Sequence, residues 1–124
     1  MEPAAYRALH QLEDHHWWCV GMRRLAWAML QGALLPPDAP RALDVGCGAG
    51  AWLAELTSRH PAVGVDVSPL ALHYCQERSL PGLAQASVAA LPFPAGVFGL
   101  VTCTDVLYHR AVADDRAALQ ECRR

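Results

Sequence analysis

A chain of 124 residues holds one domain's worth of structure. Hydrophobic residues make up 53% and charged ones 18%, which excludes an intrinsically disordered chain and suffices for one core. Ten basic against twelve acidic residues give a formal net charge of -2, so the basic field on which nucleic-acid binding relies is missing and no nucleic-acid partner is expected.

In chain order, Tyr6, Leu9 and Leu12 suggest a short first helix with Pro3 in its first turn. Trp18, Met22, Leu25 and Met29 recur at i, i+4, i+7 and i+11, one apolar face of a second helix. Trp17 and Trp18 read as core packing on that helix, with a lid over a binding site as the alternative. The apolar stretch from Leu25 to Leu35 is broken by Gln31 and is much shorter than the roughly 20 residues of a spanning helix. It follows Arg23 and Arg24 but lacks a cleavage pattern, so neither membrane nor export is expected and the location reads as cytoplasmic. The five cysteines include no Cys-x-x-Cys pair and read as reduced thiols. Cys19, Cys47, Cys75 and Cys103 are spaced by 28, but their neighbours differ and the spacing reads as coincidence. His15-His16 has no third ligand at metal spacing, so no metal is expected. His10, His60 and His73 read as surface or boundary residues.

Pro36, Pro37 and Pro40 forbid a continuing helix and divide the chain into an arm, residues 1–40, and a core, residues 41–124. Strand and helix signals then alternate: a strand at Ala42 to Val45, a helix from Ala51 to Ser58, and a strand at Ala62 to Asp66. Ser68 offers an N-cap and Pro69 a first helical position for a helix to about Arg78. A third strand follows at Leu83 to Ser87 and a fourth at Leu100 to Thr104. Asp114 or Asp115 caps a last helix. Such alternation implies an α/β fold: a doubly wound parallel sheet, Rossmann-like, in strand order 3-2-1-4. No strand follows the last helix, so the sequence reads as cut after the fourth strand. The exposed edge would invite self-association or a partner chain.

The strongest chemical signal is Asp44-Val45-Gly46-Cys47-Gly48-Ala49-Gly50, where the first strand turns into a helix. Glycines there allow a tight turn and let the backbone approach a ligand at the helix N-terminus. Gly46, Gly48 and Ala51 also satisfy the dinucleotide pattern, and Asp66 stands where a ribose-binding acid belongs. A nicotinamide-dependent oxidoreductase is thus one reading. Asp44 weighs against it, because a carboxylate there suits a cationic ligand and would repel a pyrophosphate. Asp105, Tyr108 and His109 follow the fourth strand, beside the crevice where such sheets bind ligands.

Together with Val65-Asp66-Val67-Ser68-Pro69, Leu91-Pro92-Phe93-Pro94 and Asp105-Val106-Leu107-Tyr108-His109, the glycine segment resembles the class I S-adenosylmethionine-dependent methyltransferases. The resemblance extends to the arm through Glu13-Asp14-His15-His16-Trp17-Trp18 and Gly21-Met22-Arg23-Arg24. It implies that Gly46, Cys47, Gly48 and Gly50 wrap the methionine and ribose parts of S-adenosylmethionine, with Asp44 near its amino group. Asp66 would accept from both ribose hydroxyls, a task for an acceptor-only carboxylate. Val67 would flank the adenine, and Ser87 and Val88 stand where the family commonly has an acid for the adenine amino group. Gly99 similarly replaces an acid common before the fourth strand. His109 is a candidate general base or a residue shaping the substrate pocket, with an ordinary loop histidine as the plain alternative, and Asp105 is placed near the reactive end. The expected function is methyl transfer to a small-molecule acceptor; a non-catalytic, truncated cofactor-binding fragment is the other alternative.

Overall fold

A computed structural model describes residues 1–31 and 41–124. The proline segment that divides the chain on sequence grounds lies outside the described residues. Two helices open the chain, α1 (Pro3–Leu12) and α2 (Trp17–Leu30). Strand and helix then alternate as β1 (Ala42–Val45), α3 (Ala51–Arg59), β2 (Ala62–Asp66), α4 (Pro69–Glu77) and β3 (Leu83–Gln85), followed by β4 (Leu100–Cys103) and α5 (Asp115–Arg123). The sheet is parallel, in the order β3-β2-β1-β4. That is the expected doubly wound topology, with β1 and β2 at its centre and buried along their length.

Alternation along β1 sorts its side chains between two packing layers. Ala42 faces α3 and α4, in a cluster with Trp52, Leu53, Leu56 and Cys75. Leu43 and Val45 face the other way, with Val63, Val65, Val88 and Ala118 of α5. Gly64 sits where β2 meets α3, and a Cβ there would lie 2.5 Å from Leu53 Cδ2. Two N-caps explain where helices begin: Ser68 Oγ accepts from Ala71 N, and Asp114 accepts from Ala117 N at 3.0 Å.

Several elements differ from the sequence reading. β3 ends at Gln85, because Ser87 turns the chain, its hydroxyl accepting from Ala89 N at 3.1 Å. β4 ends at Cys103, since Asp105 takes a left-handed conformation with φ 56°. The apolar stripe of α2 is not its buried face. Trp18 is 56% and Met29 76% exposed, and Leu25 is exposed as well. The helix packs on the core through Ala26, Trp27 and Leu30 instead. Trp27 donates to Glu55 Oε2 at 2.7 Å and carries Arg59 over its ring at 4.0 Å. Trp17, at 75% exposed, is likewise not core packing.

Cys47 and Cys75, 28 residues apart, do meet, with sulfurs 3.8 Å apart. They meet because α4 packs on the glycine turn; their flanking sequences still show no repeat. The Cys47 thiol is pushed up by its bond to Cys75 and by burial.

Candidate functional site

The carboxyl ends of β1, β2 and β4 open into one cavity of about 840 Å³. That is toward the upper end of the usual span for small-molecule sites, roughly 300–1,000 Å³. Its floor is the turn after β1. The Gly46 and Cys47 amides both donate to Val65 O, at 2.8 and 3.0 Å, which folds the turn back on β2. Gly46 has φ 73°, and a Cβ there would lie 2.2 Å from Val106 Cγ2. Only glycine meets both demands.

Asp44 projects from β1 on the α3 side and is 1% exposed. Its cross-strand neighbour in β4 is Thr102, whose hydroxyl donates to Asp44 Oδ1 at 2.8 Å. Trp52 Nε1 in turn donates to Thr102 Oγ1 at 3.1 Å, so the indole orients the hydroxyl toward the carboxylate. Burial pushes Asp44 up to about 7, against the lowering pull of Thr102; the charge of Asp66 adds a further push. No cation of the described residues pairs with it in an ion pair. A buried carboxyl in that state is suited to a cationic group brought by a ligand.

Asp66, at the end of β2, organises the opposite wall. Its Oδ2 accepts from Gly48 N at 3.0 Å, and its Oδ1 from Ser68 N at 2.9 Å and from the Tyr6 hydroxyl at 3.4 Å. The arm reaches the site a second time through Glu13. Its Oε1 accepts from Ala51 N at 3.2 Å, capping α3, which has no cap of its own, and from Arg78 Nη2 at 2.8 Å. Burial pushes Glu13 up even though Arg78 opposes it.

Of the residues singled out in the sequence, Asp44, Gly46, Cys47, Gly48, Asp66, Val67, Ser87, Val88, Asp105 and His109 all line the cavity. Gly50 does not. It has φ 95° and packs against α4, where a Cβ would lie 2.9 Å from both Cys75 Sγ and Leu80 Cδ1. At this position it serves close helix packing. Tyr108 stacks on His109 at 4.9 Å at the cavity's rim. Tyr6, Glu13, Trp52 and Thr102 join the site with no sign of it in the sequence: Tyr6 is there one of three apolar helix positions, and Glu13 opens the arm's Glu13-Asp14-His15-His16-Trp17-Trp18 segment.

Among the described residues no cluster could hold a metal ion, and no helix is long and apolar enough to cross a membrane.

A family model described as a methyltransferase domain matches residues 42–124. Over its whole length the chain is 32% identical to a ubiquinone biosynthesis O-methyltransferase of Paracidovorax citrulli, spanning 57% of that protein. A tRNA U34 carboxymethyltransferase of Methylococcus capsulatus is 35% identical over 81% of the chain, which spans 34% of it. The chain thus covers about half or less of these relatives' length. Among solved structures, an amino pentose methyltransferase from Micromonospora echinaspora with S-adenosylmethionine bound superposes with a TM-score of 0.66 at 34% identity. That match covers 96% of this chain and 48% of the other. The matched span takes in the strands, the glycine turn and both carboxylates, and the chain belongs to the S-adenosylmethionine-dependent methyltransferase family.

Proposed function

We propose that this chain binds S-adenosylmethionine in the cavity and serves methyl transfer to a small-molecule acceptor. The observation that carries the reading is the pair of buried carboxylates, Asp44 and Asp66, on either side of one glycine turn. The residues present fit the cofactor. Asp44 offers a carboxyl with no cationic partner, and Asp66 accepts three protein donors, which leaves about one acceptor position of a carboxylate's four. Gly46 and Gly48 would let the backbone approach, Cys47 would close the floor, and Val67, Ser87 and Val88 would border the adenine.

The cofactor supplies a methyl group on a sulfonium, already an excellent leaving group. The protein's own part is therefore proximity and orientation, a contribution of roughly 7–11 kcal/mol at best. His109 would take a proton only from an acceptor that must lose one, and Asp105 would face the reacting end.

The small-molecule reading is supported by the cavity's other wall. Trp18, Met22, Leu25 and Met29 of α2 line it, an apolar surface for an organic acceptor. The tRNA-modifying relatives favour a nucleic-acid acceptor as the second reading. A net charge of -2 weighs against it.

Calorimetry with S-adenosylhomocysteine on the parent and on Asp66→Ala tests the assignment. Loss of a charged acceptor for the ribose should weaken binding at least about tenfold, given roughly 1.5–3 kcal/mol per bond to a charged group. Equal affinity in a variant that still melts cooperatively would refute it.

A further inference from the structure

We infer that Tyr6 of the arm occupies the ribose seat on Asp66 and must withdraw for the cofactor to bind; this rests on the ribose-binding reading of Asp66. A carboxylate offers about four acceptor positions, two on each oxygen. On Oδ1 both are taken, by Ser68 N at 2.9 Å and by the Tyr6 hydroxyl at 3.4 Å. On Oδ2 one is taken, by Gly48 N at 3.0 Å. Gripping the two hydroxyls of a ribose takes one free position on each oxygen. Oδ2 has one, and Oδ1 has none while Tyr6 stays.

The two backbone donors cannot give way. Gly48 follows a turn tied to Val65 O by two amides, and Ser68 N-caps α4. Tyr6 is the one side-chain donor, its bond is the longest of the three, and its ring lines the cavity. The helix that carries it is held farther along. His10 stacks on Tyr74 at 4.4 Å, and Glu13 bonds Ala51 N and Arg78. The hydroxyl therefore leaves by rotation of the side chain into the cavity, with the arm still docked. In the free protein it satisfies a buried carboxylate; in the bound one it yields that place to the ligand.

Removing the hydroxyl should then help binding. Tyr6→Phe is expected to bind S-adenosylhomocysteine about three- to tenfold more tightly than the parent by calorimetry. It should show no gain for the 2′,3′-dideoxy analogue, which lacks the competing hydroxyls. Unchanged or weaker binding of S-adenosylhomocysteine overturns the inference, and so does an equal gain for both ligands, which marks general loosening. The ribose assignment itself is read separately. If the parent binds the two ligands alike, or Asp66→Ala binds S-adenosylhomocysteine as the parent does, that assignment falls and the inference with it. A failure confined to Tyr6→Phe removes the inference alone.

Discussion

Asp44 sets the pH behaviour of the site. Its pKa in the folded chain is raised from 3.8 to about 7, so between these values the folded state holds a proton that the unfolded state has lost. Stability from this group is therefore present below about pH 4 and falls as pH rises toward 7. Ligand affinity runs the other way, since a cationic amino group favours the carboxylate form. S-adenosylhomocysteine should bind more tightly as pH rises from 5 to about 7 and then level off. In Asp44→Asn that rise should vanish and binding weaken. Calorimetry across this range checks both. Asp44 and Asp66 were legible because each is a carboxylate at a strand end beside glycines or a helix cap. Thr102 and Tyr6 were not. Thr102 gains its role from the register of β4 against β1, and Tyr6 from contact across 60 residues of sequence.

Periodicity revealed the helices of the arm but not which face of α2 meets the core. Trp18, Met22, Leu25 and Met29 form a regular stripe, yet Ala26, Trp27 and Leu30 touch the core. The stripe is apolar for the cavity it lines, and no periodicity distinguishes a face turned to a ligand from one turned to a core. Substitutions should separate the two. Trp27→Ala removes the indole that bonds Glu55 and packs on Trp52 at a ring distance of 5.0 Å, and should cost about 2–4 kcal/mol. Leu25→Ser on the exposed stripe should stay within about 0.5 kcal/mol. Urea denaturation of the two variants against the parent decides. The strands were more legible than the arm: β1 and β2 are short, mainly apolar runs, β1 ended by Gly46 and β2 opened by Pro61, and both fall where the sequence placed them.

For the whole molecule, the sheet order leaves β4 at one side, paired only with β1 among the described residues. Its four residues are half-buried, unlike the fully buried β1 beside it. An apolar strand with one row of amides and carbonyls open is a template for another chain. The 124-residue chain is expected to self-associate with rising concentration, and light scattering over a dilution series should show it. A monodisperse monomer at all concentrations would mean that the edge is protected.

The bonds that tie the arm to the glycine turn have a consequence for how the molecule assembles. Glu13 reaches Ala51 across 38 residues and Arg78 across 65, whereas β1, α3 and β2 are neighbours in sequence. Closing long loops is slow and gains nothing until the distant partner exists. The arm, made before the core, is thus the last to find its place. Until Arg78 has emerged, Glu13 has no guanidinium to meet, and until the arm docks α3 begins on uncapped amides and Asp66 lacks the phenol of Tyr6. The strand–helix–strand unit must hold its shape alone during that interval, and the cavity gains its second wall only when the arm returns to it.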